Sequence, residues 1–249
     1  MENTLEICVA SIESALNAQK AGAQRVELCD NLWEGGTTPS AGLITRLKQL
    51  LDIDVYVLIR PRGGDFMYTD DEFAVMKEDI KFAKANGVNG IVSGILHADG
   101  SVDKERTKEL VELTAPLPFT FHRAFDCVND PIAAMNDIIE CGAHRVLTSG
   151  LAQSAVEGTG MLQHIQSQFG DKIIVMPGGG ISSKNIGNLA KETGCLEWHM
   201  TGKIWQDGRM AFKNPNLRLN GSPEIPEHEQ MVASIAEITT VKLLLEGLS

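Results

Sequence analysis

Short apolar runs with a two-residue alternation recur along the chain, each followed by a longer stretch of helical period. Leu5-Glu-Ile-Cys-Val9, Arg25-Val-Glu-Leu-Cys29, Asp54–Ile59 and Phe119-Thr-Phe-His122 alternate in the manner of strands. Gly90–Ser93, Arg145–Thr148, Ile173–Met176 and Cys195–His199 complete a set of eight. Between them the spacing predicts helices over roughly Ile12–Ala21, Ser40–Leu51, Asp70–Ala85, Lys104–Ala115, Pro131–Cys141, Gly160–Phe169 and Ser183–Glu192. Thr69 stands where an N-cap belongs, and Asp130-Pro131 puts proline in a first turn. Thr201–Pro226 carries neither period and reads as irregular, ahead of a last helix over roughly Glu227–Leu245.

Eight strand-then-helix units in a row predict an α/β fold with a parallel sheet, closed into a (β/α)8 TIM barrel. A doubly wound open sheet is the competing architecture, but its G-x-G-x-x-G turn is missing, since Gly178-Gly-Gly180 does not fit that spacing. With no boundary in the pattern, residues 1–249 read as one barrel domain, and the long segment after strand eight as a lid or a subunit contact.

Parity assigns the strand faces. If Leu5, Ile7 and Val9 face the helices, Glu6 and Cys8 face the barrel axis. The same rule sends Arg25, Glu27 and Cys29, then Tyr56, Leu58 and Arg60, then His122, then Glu197 and His199 inward. Barrel interiors are normally filled by branched aliphatics, and ions inside one need partners. A salt-bridge network of Glu6 or Glu27 with Arg25 or Arg60 is one reading of this set. The other is a site, because barrel enzymes work at the C-terminal strand ends. Arg60, Arg62, His122, Arg123, Asp126, Ser149 and His199 fall there, whereas Arg25 and Glu197 lie further down and read as structural.

The three arginines could hold a carboxylate or phosphate, and Gly178, Gly179 and Gly180, read as leading into a helix, could offer backbone N–H groups. His122 and His199 could exchange protons near neutral pH, with Glu6, Glu27 or Asp126 as base or orienting partner. Cys8 and Cys29 end neighbouring strands at matching positions, and two thiolates there suit Cu(I), although two inward thiols are equally small core residues. A net charge of −11 gives no basic surplus for nucleic acid or an anionic membrane. The five cysteines form no CxxC pair, residues 1–10 lack a basic start with a long apolar run, and no apolar stretch is long enough to span a bilayer. The expected location is cytoplasmic.

Several motifs resemble one family, that of the copper homeostasis protein CutC. They are Glu6-Ile-Cys8, Arg25-Val-Glu-Leu-Cys29, Glu34-Gly-Gly-Thr-Thr-Pro-Ser40, Ile59-Arg-Pro-Arg-Gly-Gly-Asp-Phe66 and Thr120-Phe-His-Arg-Ala-Phe-Asp126. Arg145-Val-Leu-Thr-Ser-Gly150, Met176-Pro-Gly-Gly-Gly180 and Glu197-Trp-His199 extend the match to about residue 200. The resemblance implies a cytoplasmic barrel, a homodimer or larger homo-oligomer, and Cu(I) on the cysteines at positions 8 and 29. The arginine-, histidine- and acid-rich character of the motifs suggests a second role. That role is a barrel enzyme (lyase, isomerase or hydrolase) acting on a small anionic or sugar-like substrate.

Overall fold

Alternation along the first strand sets the architecture. The computed structural model describes residues 3–216, 218–222 and 224–248; Leu217 and Pro223, inside the segment read as irregular, lie outside the described residues. Strand β1 (Thr4–Val9) turns Leu5, Ile7 and Val9 into the apolar layer shared with the helices, where all three are fully buried. Each such side chain contributes about 1.5–3 kcal/mol on burial. Cys8 belongs instead to a separate small cluster with Cys29, Tyr56, Leu58 and Val92, on the other side of the sheet.

Seven more strands follow: β2 (Arg25–Leu28), β3 (Asp54–Leu58), β4 (Gly90–Ser93), β5 (Phe119–Phe121), β6 (Arg145–Thr148), β7 (Ile174–Pro177) and β8 (Glu197–Met200). They pair in parallel in the order β7-β6-β5-β4-β3-β2-β1-β8. β7 and β8 pack beside each other and complete the ring, although no ladder joins them among the described residues. The helices between them are α1 (Ile12–Lys20), α2 (Ala41–Leu50), α3 (Asp70–Ala85), α4 (Lys104–Thr114), α5 (Pro131–Glu140), α6 (Thr159–Phe169) and α7 (Ile186–Thr193). This is the (β/α)8 barrel read from the strand count.

Local chemistry starts most helices. Thr69 and Glu72 form a reciprocal capping box on α3, Asp130 accepts from Ile132 and Ala133 N–H on α5 with Pro131 in the first turn, and Ser11, Ser40 and Asp103 cap α1, α2 and α4. Among the described residues no helix is long and apolar enough to cross a membrane.

Three expectations need correction. The segment after β8 is not irregular throughout, because β9 (Lys203–Asp207) and β10 (Glu229–Ala233) form an antiparallel hairpin. The last helix begins eight residues later than its period suggests, as α8 (Ile235–Glu246) capped by Ser234. Ala233 is fixed in extended form by a bond from its N–H to Ser14 Oγ and one from Asn17 Nδ2 to its carbonyl, so tertiary partners override the helical period. Gly178–Gly180 does not run into a helix either. Ser182 N–H donates to Asn185 Oδ1, which closes a turn over 182–185 and delays α7 to Ile186.

Candidate functional site

Ions fill the lower barrel axis. Arg25 donates from Nε to Glu6 and from Nη2 to Glu197 Oε2 at 2.6 Å. Arg145 grips the same Glu197 through Nε at 2.6 Å and Nη2 at 3.0 Å, and reaches Thr120 Oγ1 at 3.1 Å. Both guanidinium groups lie over the Tyr56 ring, at 4.7 and 5.4 Å. Glu6 therefore pairs with Arg25, one of the pairings read from parity, while Glu27 and Arg60 find other partners. Arg145 is absent from that reading, though the same rule finds it: Val146 joins the outer apolar layer, which turns Arg145 inward. Burial works to raise the Glu6 carboxyl. The charges of Arg25, His199 and Arg145, with a hydrogen bond from His199, outweigh it and hold Glu6 well below the usual carboxylate range.

Above this floor lie the thiols. Cys8 is opposite Glu27 in the β1–β2 register, so Cys29 sits two residues beyond the matching position rather than at it. The ladder continues past β2 with Cys29 N–H on Val9 O at 3.0 Å, and this brings the two sulfurs to 3.4 Å. The Cys8 thiol is pushed well above its ordinary value by its hydrogen bond with Cys29, by burial and by the charge of Glu27. His199 places Nδ1 2.7 Å from Glu6 Oε1 and Nε2 3.7 Å from Glu27 Oε2. Burial opposes its charge, but Glu27, Cys8 and Glu6 together raise the imidazole well above its ordinary value. Glu27 is shifted upward, chiefly by burial. One ligand atom from each of Cys8, Glu27 and His199 lies within 4.8 Å of the others.

A cavity of about 390 Å³ opens over these groups at the C-terminal strand ends, its wall formed in part by Cys8, Glu27, Arg60, His122, Arg123 and His199. His122 follows β5 and caps a 3-10 turn over Arg123–Cys127, accepting from Ala124 N–H at Nδ1. That bond fixes the tautomer with the proton on Nε2, and Nε2 is buried without a partner. Burial and the nearby charge of Arg60 lower its pKa to about 3. His122 is thus held neutral near physiological pH, where it serves as a donor rather than as the proton carrier its residue type suggests. His199 is pinned in the opposite state.

Of the three arginines, only Arg60 and Arg123 reach the cavity wall. Arg60 gives its terminal N–H groups to the carbonyls of Glu34, Gly36 and Gly64, tying two loops together, while its Nε remains unpartnered. Arg62 lies apart, half-exposed on Glu72 and Asp65. Arg123 donates to Asp126 Oδ2 at 2.7 Å and Ser149 Oγ at 2.9 Å. Asp126 accepts in addition from Thr148 Oγ1 and from the N–H groups of Ser149 and Leu151, so its carboxylate is spent on holding the loop after β6. Gly179 and Gly180 line the cavity beside Arg123, whereas Gly178 packs against Leu147 and His199.

The profile of the CutC family matches residues 3–204. The chain belongs to the CutC family. A copper homeostasis protein cutC homolog from Homo sapiens is 43% identical over 244 residues, 98% of this chain and 89% of that protein. A CutC family protein from Chromobacterium violaceum is 41% identical over 246 residues, 99% of each chain. The CutC structure from Streptococcus agalactiae superposes with a TM-score of 0.76 at 35% identity, covering 80% of this chain and 98% of that one. Phosphoribosyl anthranilate isomerase from Thermotoga maritima shares the fold alone, with a TM-score of 0.59 at 9% identity over 99% of this chain and 100% of that one. In this CutC chain the two thiols stand together on the β1–β2 side of the cavity, and His122 and Arg123 stand on the β5 side.

Proposed function

We propose that this protein is a cytoplasmic copper-homeostasis protein that takes Cu(I) on Cys8 and Cys29. The observation that carries this reading is the 3.4 Å separation of the two sulfurs, with Cys8 on the cavity wall. Soft, polarisable thiolates are the donors Cu(I) prefers. A linear dithiolate with bonds as long as those of zinc thiolates, roughly 2.3 Å, would span about 4.6 Å. The thiols therefore move apart by about 1 Å, or the ion gains a third donor, which the His199 imidazole beside Cys8 supplies once it has given up its proton. Two reduced cysteines this close fit a reducing compartment. Titration of Cu(I) against a competing chelator tests the site: affinity should collapse in the Cys8→Ser/Cys29→Ser double variant, and equal affinity would remove it. The exposed Ile204, Trp205, Met210, Phe212 and Leu219 after β8 support a homodimer or larger homo-oligomer, which light scattering after gel filtration measures.

A second reading is favoured by groups that copper does not use. Arg60 and His122, each with one buried nitrogen left without a partner, line the same cavity. A buried donor left unsatisfied costs about 1–3 kcal/mol, so its persistence points to a ligand. In this reading the barrel is an enzyme for a small anionic or sugar-like substrate. Arg123→Gln in a thermal-shift screen of small acids and sugar phosphates tests it, and unchanged stabilisation by every hit would end it.

A further inference from the structure

β1 and β5 lie four places apart in an eight-stranded ring, so the thiols and His122 occupy opposing walls. Three sets of donors on the β5–β7 side are left without acceptors among the described residues. The first is His122 Nε2–H, 5% exposed as a residue, with the Phe66 ring at 5.0 Å, the Phe121 ring at 6.2 Å and the Arg60 guanidinium, itself stacked on Phe66, nearby. The second is Arg123 Nη1, on a guanidinium whose other nitrogens are fixed by Asp126 and Ser149. The third is the run of N–H groups at Gly179, Gly180 and Ile181, whose residues all line the cavity. Arg123 lies over this run: a Cβ on Gly179 would stand 3.5 Å from Nη1. Gly179 and Gly180 have φ angles of 95° and 75°, which glycine adopts without strain, and neither carries a Cβ to keep a ligand from the backbone.

We propose that the cavity binds a small phosphorylated carbonyl compound, with its phosphate on Arg123 and the Gly179–Ile181 N–H groups and its carbonyl oxygen on His122 Nε2–H. The proposal rests on the enzyme reading above and names its substrate class. Four uncommitted donors on adjoining residues suit the three terminal oxygens of a phosphate better than the two of a carboxylate. The neighbouring Asp126 does not repel it strongly, because its oxygens are turned to Arg123, Thr148, Ser149 and Leu151. His122 is different in kind. A single neutral N–H suits one carbonyl oxygen, and with the Arg60 charge nearby the bond strengthens as that oxygen gains negative charge. The imidazole has room there only because residue 94 is glycine, where a Cβ would come within 2.7 Å of Nδ1.

Calorimetry on the full chain separates the parts. Dihydroxyacetone phosphate should bind about tenfold more tightly than glycerol 3-phosphate, which keeps the phosphate and lacks the carbonyl. Dihydroxyacetone without phosphate should bind far more weakly than either, and inorganic phosphate should compete with both. Arg123→Gln should weaken both phosphate esters by about tenfold or more, and His122→Phe should erase the difference between them. If His122→Phe fails to fold, the imidazole 15N resonances of the unaltered protein decide: Nε2 should move with dihydroxyacetone phosphate and stay still with glycerol 3-phosphate. Equal affinity for the two esters with an unmoved Nε2 overturns the carbonyl assignment while sparing the anion pocket. Failure of every phosphate compound to bind overturns the proposal, and the enzyme reading falls with it only if the small acids of the thermal-shift screen, and unphosphorylated sugars added to it, also fail to stabilise the protein.

Discussion

Cys8 Sγ stands 3.4 Å from Cys29 Sγ, and the Cys8 thiol is held protonated by that contact, by burial and by Glu27. Copper must therefore displace the Cys8 proton to bind. Each proton released makes affinity rise about tenfold per pH unit. Competition assays at pH 6, 7 and 8 should give at least that slope, and a steeper one if His199 also surrenders its proton to become a ligand. A flat profile would mean that Cys8 is not a ligand.

Glu197 is the shared counter-ion of Arg25 and Arg145 inside the barrel. Replacing it by Gln keeps the shape and removes the charge that both guanidinium groups face. Breaking such a buried pair costs about 3–5 kcal/mol. Urea unfolding of Glu197→Gln should show a loss of that order. Lys81→Ala, on an exposed pair with Glu78, should lose less than about 1 kcal/mol.

Gly94 follows β4 and faces the imidazole of His122. A Cβ at this position would stand 2.7 Å from Nδ1 and 3.2 Å from the Ala124 Cβ. His122 is locked by Ala124 N–H and by Phe66, so it has little freedom to retreat. Gly94→Ala should destabilise by about 1–3 kcal/mol, the usual penalty of overpacking. In 15N spectra it should also disturb His122 ahead of any other histidine. A variant as stable as the parent would show that the imidazole pocket is loose.

The barrel and its polar lining were legible because strands of five or six residues reveal two-residue parity, and parity alone turned Glu6, Arg25, Glu27 and Arg60 inward. Arg145 is harder to read: Arg25 opens an alternation that runs on through Glu27 to Cys29, whereas Arg145-Val-Leu-Thr148 breaks it at once with two adjacent apolar residues. Distances between side chains were not legible. Nothing in the order of residues says that Arg60 would spend its terminal groups on three loop carbonyls while Arg123 keeps one nitrogen uncommitted. The β9–β10 hairpin was missed for a related reason: its strands lie more than twenty residues apart in the chain, and Glu229–Ala233 is extended only because of partners on β9 and α1. The protonation states of the two histidines were hidden too. They depend on Arg60 beside one and on Glu6 and Glu27 beside the other.

Those two histidines should dominate the pH response of the fold, in opposite directions. His122 falls from 6.5 to about 3 on folding, so between those values the unfolded chain binds a proton that the native one refuses. Its effect is a loss of stability as pH drops below 6.5, by up to about 1.4 kcal/mol per unit for a single group. Glu6, shifted downward, adds to the acid loss below its ordinary range. His199, shifted upward, stabilises fully below 6.5 and loses that contribution only as pH rises through its raised value. Urea unfolding at pH 7.5, 6 and 5 should show a steeper acid decline in the parent than in His122→Phe, which has no group to protonate. Imidazole resonances recorded over the same range should stay flat for both histidines. A His122 midpoint near 6.5 would mean that its nitrogen is hydrated, and the neutral-donor role assigned to it would fall.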